Sequence, residues 1–587
     1  MIYKKHIDDI SKSIIDLYSR SHINSNDIQV QETRKEFQGD YTIVIFPLLK
    51  YSHKNIESTC SELGEYLVEN LEYISSFNII KGFLNLQFTD SFWFHGLAFS
   101  FSSKFEINDK TNKHIILESS SPNTNKPLHL GHLRNILLGH AVANILIADG
   151  NNVTKVQIIN DRGIHICKSM VAWQKYSNGE TPLSAKIKGD ILVGKYYVLF
   201  EKKYQEEIKK MIDEGLTVDE ASSSSMLLQE AKDMLKKWED GDLEIIKLWK
   251  KMNSWVYSGF DKTYKMIGIQ FDKNYYESDT YLIGKEHVLN GLNDKIFTQD
   301  ADQSIWVNLE EQKIDKKLLL RSDGTAVYIT QDIGTAILRY NDFNFDEMIY
   351  VVGNEQNHHF NVLFSILKKM NFKWSQYLHH LSYGMVNLPD GRMKSREGTV
   401  IDIDDLLVEM YDNSKEMIIN SGKSDFSSIN HLSKIIGDAA LKYFILKIDA
   451  KKDILFNPQE SIDFHGHTGP FIQYTFARIN SILYKAGDFN QTFDVNRKLI
   501  KEEISIIKII LNYPIIIHQS ASALNPSILA NYLYYLSKEY NHFYQKIPIL
   551  NIKNKNDINF RVTLSSKVNE LIKKGMNLLG IEVPSKM

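Results

Sequence analysis

The sequence predicts an α/β domain of Rossmann type, its parallel sheet interrupted by a helical insertion, set between a small α+β N-terminal domain and an all-α C-terminal region. Three observations predict it. Ile115, Ile116 and Leu117 form a short apolar run, followed by a polar loop, a helical stretch over about 131–149 and a β-rich run at 153–159, which is the order of a βαβ unit. The runs at 347–352 and 381–386 read as further strands of the same sheet, so the helical, Lys/Glu-rich sequence of about 173–265 must be inserted between its strands. Past residue 406 the apolar period is helical, most clearly at 430–448 and 471–486.

In chain order, Ile7, Ile10, Ile14, Leu17 and Tyr18 stand at helical spacing, and 41–46 is rich in β-branched and aromatic residues. The stretch 79–88 reads as a strand pair turning at Gly82, and polar punctuation at 108–113 marks a boundary. Ser222 to Ser225 read as a loop or a helix cap. The expected division is 1–110, 111–405 with its insertion, a helical connection at 406–455, and 456–587. A chain of 587 residues is long enough for several such cores.

Composition excludes some classes of function. Apolar residues at 43% and charged residues at 24% argue against wholesale disorder. With 69 Lys plus Arg against 72 Asp plus Glu, the formal charge is -3, so any nucleic-acid contact must come from local patches. Two cysteines, Cys60 and Cys167, cannot make a disulfide framework or a cysteine zinc site, and read as free thiols in a reducing compartment. The N-terminus has acidic residues and no apolar signal core, and no stretch reads as reaching the length of a membrane span; the expectation is a cytoplasmic chain.

The sharpest constellation is Glu118-Ser-Ser-Ser-Pro-Asn-Thr-Asn-Lys126-Pro-Leu-His129-Leu-Gly131-His132-Leu-Arg134-Asn135, which follows the first strand of the sheet. A polar loop there feeds a helix N-terminus, where free N–H groups and partial positive charge suit a polyphosphate. Gly131 leaves room for a base or phosphate, and His129 and His132 can donate to phosphate oxygens or, if protonated, offset charge growing on them. A lone H-x-x-H is more often a zinc pair or two surface histidines; the strand, loop and helix around this one favour phosphate. A second string, 390–400, sets Arg392, Lys394 and Arg396 between glycines, as a solvated turn or as a basic loop for phosphates.

These strings resemble the class I aminoacyl-tRNA synthetases, whose His-x-Gly-His signature is matched by His129-Leu130-Gly131-His132; the wider stretch is similar to the arginyl members. The resemblance implies that 390–400 is the mobile loop that closes over ATP. Arg392-Met393-Lys394-Ser395-Arg396 departs from the family's Lys-Met-Ser-Lys-Ser, and Lys126 is implied to replace the missing lysine. It further implies ATP contacts at His129, Gly131, His132, Met385, Val386, Lys394 and Ser395, with His129, His132, Lys126, Lys394 and Arg396 catalytic.

A guanidinium pocket needs carboxylates at fork-compatible geometry and an aromatic face. Candidates are Glu277 and the pair Tyr328 and Asp332, which share one wall only if that segment is helical; as isolated residues such acids are more often surface charges or caps. The resemblance assigns these three to the guanidinium, and Asn123 and Gln356 to the α-amino and carboxylate groups of arginine. His358 and His359 read as pocket or core residues, and Asp161 and Gly163 as part of the same cleft. In the C-terminal third, 462–479 resembles the entry to the anticodon-binding domain, where Tyr474, Phe476 and Arg478 could meet unstacked bases, although at helical spacing most such aromatics are core.

The implied activity is ligation of L-arginine to tRNA(Arg) by way of an adenylate, with ATP and Mg²⁺, no zinc, no membrane and a monomeric enzyme. A cysteinyl member is disfavoured by missing thiolates, and the large aliphatic-specific members by the lack of room for an editing domain. A non-catalytic RNA-binding relative is disfavoured by the intact histidines and acids.

Overall fold

The computed structural model describes residues 2–18, 23–34, 36–105, 112–387, 402–420, 429–489, 494–495 and 497–587. The expected boundary at 108–113 and the basic string at 390–400 lie largely or wholly outside these residues. In the N-terminal unit β1 (Val30–Glu32), β2 (Tyr41–Val44), β3 (Ile74–Ile80) and β4 (Phe83–Phe88) form an antiparallel sheet in the order β1-β2-β4-β3. The helices Ile2–Leu17, Ile56–Asn70 and Asp90–Ser100 belong to the same unit. Lys81 and Gly82 make the expected hairpin turn between β3 and β4. The strand expected over 41–46 stops at Val44, because Pro47 has no N–H to donate and a 3-10 turn, Phe46–Leu48, begins there.

The central sheet takes β5 (His114–Glu118), β6 (Asn152–Ile159) and β7 (Lys273–Tyr276). A separate antiparallel sheet follows, β8 (Thr298–Gln299), β9 (Ile305–Leu309) and β10 (Ile314–Leu320), before β11 (Glu347–Gly353) and β12 (Leu378–Tyr383) complete the first. All five central strands are parallel, in the order β12-β11-β5-β6-β7. The chain leaves β5 toward one edge and returns to its other side at β11, so the switch point lies between these two strands, where open α/β sheets bind ligands. Alternation sends Ile115, Leu117, Ile349 and Val351 into a core that continues through the Leu130–Ala148 helix into both flanking regions, and Ile116, Met348 and Tyr350 into a second core.

The expected strand at 381–386 is displaced: β12 pairs from Leu378 to Tyr383. Gly384 ends it, since a Cβ there would stand 2.6 Å from the Lys452 carbonyl. The chain then re-pairs as β13 (Val386–Asn387), parallel to β14 (Ile454–Leu455). The insertion is helical, with Gly189–Asp213, Met226–Glu239 and Leu243–Ile267 its main elements, and Ser225 caps the second by accepting from Leu228 N at 3.1 Å. Ser222 to Ser224 belong to the Val218–Ser224 helix.

The C-terminal part contains Ile403–Asn420, Ile429–Leu446, Gly469–Ala486, Lys501–Ser522, Pro526–Lys546 and Lys555–Leu578. Of these, Ile429–Leu446, Lys501–Ser522, Pro526–Lys546 and Lys555–Leu578 pack on the Leu130–Ala148 helix. Leu130–Ala148 and Lys501–Ser522 are long and apolar enough to cross a membrane by length and composition, which corrects the expectation that no stretch reaches that length; most of each is packed inside the protein.

Candidate functional site

The loop after β5 crosses to β6, where Thr124 N donates to Asn160 O at 3.1 Å and Asn160 N to Pro122 O at 2.9 Å. It then delivers His129 as the N-cap of Leu130–Ala148. His129 Nδ1 accepts from Gly131 N, and His132 Nδ1 accepts from His129 N, each at 3.2 Å. Each ring thus uses its Nδ1 as an acceptor, which leaves Nε2 to carry the proton. The two rings lie 3.9 Å apart.

Burial, then Lys126, pushes His129 down to about 3; burial, then His129 and Lys126, holds His132 well below its ordinary range. Of the two options left by the sequence, both histidines are therefore neutral donors at pH 7. Burial also lowers the Lys126 ammonium pKa. The expected reason for Gly131 shifts as well: a Cβ there would first meet the His129 ring, at 3.1 Å. The signature is braced by the start of the Ile403–Asn420 helix, with Ile403 N donating to Leu128 O at 3.0 Å and Asp402 bridging His129.

Glu277 is the first residue of the Glu277–Asn293 helix, directly after β7, and is only 6% exposed, so it is no surface charge. Burial raises its carboxyl to about 7; Arg162 opposes this, Asp161 and Asp332 add to it, and a Gln331 side-chain bond opposes it. The charges of Glu277 and Asp332 are thus brought within mutual reach. The Tyr328–Phe343 helix meets the condition set for Tyr328 and Asp332. Tyr328 is exposed, and Asp332 bonds His359 Nε2 at 2.5 Å. Burial opposes the charged imidazole, but the Asp332 bond and charge outweigh it and raise the His359 pKa.

Gln356 ends the exposed turn Asn354–Gln356 after β11, and Asn123 is exposed in the loop after β5. Asp161, at the end of β6, accepts from Ser278 N (2.9 Å), Ser278 Oγ (2.8 Å) and Tyr257 Oη (2.9 Å), fixing the helix that begins with Glu277. Burial raises its carboxyl against those bonds.

Several residues that tie these segments together were not singled out from sequence. Arg339 forms a buried ion pair with Glu118, tying the Tyr328–Phe343 helix to β5. Arg162 lies 3.8 Å from the Tyr281 ring and pairs with Glu239 at 2.6 Å. Asn135 accepts from Ser120 N at 2.5 Å and donates to Val351 O at 2.6 Å and Tyr383 Oη at 3.2 Å, joining the ends of β5, β11 and β12. Only the position of Asn135 in the signature string signalled a role. Val386 is buried and Met385 39% exposed beside the signature helix. Lys394, Ser395 and Arg396 lie outside the described residues. Arg478 is held at 4.7 Å over Tyr474 and bonded to Asn541, whereas Phe476 is a core residue.

The family model described as tRNA synthetases class I (R), catalytic domain, matches residues 98–457, and that of the DALR anticodon binding domain matches 472–587. An arginine–tRNA ligase of Bacteroides thetaiotaomicron is 52% identical, over 95% of this chain and 96% of that protein. One of Flavobacterium psychrophilum is 50% identical over the same shares. In fold, the chain is similar to the Thermus thermophilus arginyl-tRNA synthetase, with a TM-score of 0.79, 22% identity and 99% of each chain covered.

Proposed function

The chain belongs to the class I arginyl-tRNA synthetase family, and from that premise we propose that it joins L-arginine to the 3′-terminal ribose of tRNA(Arg), turning ATP into AMP and pyrophosphate. The arginine carboxylate attacks the α-phosphate in line, pyrophosphate leaves, and a terminal hydroxyl of tRNA then takes the arginyl group from the adenylate. ATP arrives as its Mg²⁺ complex. His129 and His132 donate Nε2–H bonds to phosphate oxygens at the helix N-terminus, next to Gly131, while Met385 and Val386 line the nucleotide. Lys126, Lys394, Ser395 and Arg396 meet the polyphosphate charge. Glu277, Asp332 and Tyr328 hold the guanidinium, and Asn123 and Gln356 the α-amino and carboxylate groups.

Residues 1–110 and 456–587 contact tRNA, the latter at the anticodon with Tyr474 and Arg478, and the enzyme works as a cytoplasmic monomer without a membrane. The observation that carries this reading is the buried Glu277 carboxyl, raised to about 7, in electrostatic reach of Asp332. Such a pair of acids suits a ligand that brings a permanent planar cation. ATP–pyrophosphate exchange with each amino acid, tRNA included, tests it: exchange with arginine alone is expected, and exchange with another amino acid in its place overturns it.

A further inference from the structure

Arg134 follows His132 by two residues, is 2% exposed, and makes no ion pair among the described residues. Its guanidinium instead bonds backbone carbonyls from two distant segments. Nη1 donates to Gly384 O at 2.5 Å and Met385 O at 3.1 Å; Nη2 donates to Lys452 O at 2.6 Å and Ala450 O at 3.0 Å, with Asp449 O at 3.4 Å. The first segment leads from β12 to the lining residues Met385 and Val386. The second, between the Ile429–Leu446 helix and β14, belongs to the C-terminal helical part.

The same junction is closed by Gly384 N to Ala450 O (2.9 Å), Met385 N to Asp453 Oδ1 (2.7 Å), Ile454 N to Met385 O (2.8 Å) and the β13–β14 pairing. A planar fork can serve both segments at once. A lysine ammonium, with three donors on one nitrogen, cannot serve all five of these carbonyls.

We propose that Arg134 is a positioning residue that sets the nucleotide-lining segment at Met385 and Val386 by clamping it, through backbone carbonyls, to the 449–453 segment of the helical C-terminal part. This rests on the reading above that Met385 and Val386 line ATP. Moving the C-terminal part against the sheet would then shift the ATP seat without any contact between ATP and that part.

The test is steady-state ATP–pyrophosphate exchange with tRNA present, per titrated active site, on the full-length Arg134→Lys variant. The expected result is a KM for ATP at least threefold higher, with the KM for arginine changed less than twofold. A merely structural role would lower the fraction of active sites and leave both KM values at those of the parent. Asp453→Ala removes the exposed acceptor of Met385 N while keeping the Arg134 fork, whose charge Asp453 also faces, and should raise the KM for ATP at least threefold too; it decides the matter if Arg134→Lys does not fold. A smaller rise in the KM for ATP, or an equal rise for arginine, overturns the inference. A parent enzyme that charges no arginine overturns the assigned activity as well, so the two failures are distinguishable.

Discussion

In the proposed reading the signature donors to phosphate, residues 126–132, come from one short stretch of chain, whereas the proposed arginine side gathers Glu277, Asp332 and Gln356 from three separate elements. The phosphate side is set by a capping box whose two imidazoles are neutral through burial. On the arginine side a buried carboxyl is kept at about 7 and a second one bonded to His359. Local backbone geometry suffices to aim donors at a phosphate, but a cation needs charges that folding must bring together against their desolvation.

The two sides should therefore fail separately. Glu277→Gln removes a charge and keeps the shape; kcat/KM for arginine should fall about 200-fold, roughly 3 kcal/mol for losing one partner of a buried charge pair. The KM for ATP should stay within twofold, and a parallel rise would break the separation. His129→Ala should lower the rate of adenylate formation about 100-fold, roughly 2.7 kcal/mol for one oxyanion-type donor, with the KM for arginine and tRNA binding unchanged. Single-turnover kinetics and filter binding read these.

Glu277→Gln should also stabilise the ligand-free protein at pH 8. A carboxyl raised from 4.5 to about 7 binds its proton more tightly when folded, so its contribution to stability is complete below about 4.5 and lost as pH rises through about 7. The gain from the variant is about 3 kcal/mol at pH 8 and vanishes toward pH 4, as thermal midpoints at the two pH values would show. For the same reason, in the parent enzyme the KM for arginine should rise about tenfold from pH 8 to pH 6, because the guanidinium needs the carboxylate. The KM for ATP should show no matching step from His129, which titrates near 3. Smallest is Gly131→Ala: its methyl presses the His129 ring at 3.1 Å and should slow activation about fivefold, roughly 1 kcal/mol of overpacking.

The same contrast governs what could be read from the sequence. The histidine-capped helix was legible because its cap, its glycine and its apolar run are neighbours in the chain. Residue types alone made Glu277 and Asp332 look like ordinary surface acids, and only the family resemblance singled them out, since their proximity is a product of the fold. β7, with the sequence Lys-Asn-Tyr-Tyr, lacks the apolar run of a central strand because it lies at an edge. The bounds of β12 were missed by three residues because Gly384 and the re-pairing of β13 depend on the distant 450–455 segment. The protonation of His129 and His132 was left open because burial, which no motif encodes, decides it.

The Asn135 amide spans three strand ends with a side chain of fixed length. The strand ladders set the spacing, and Asn135 ties the ends together beyond them, so drift at these ends would leave a buried polar group without its partner. A change at Asn135 would therefore be felt at all three places at once, whereas a change in any one of its partners would be felt at one.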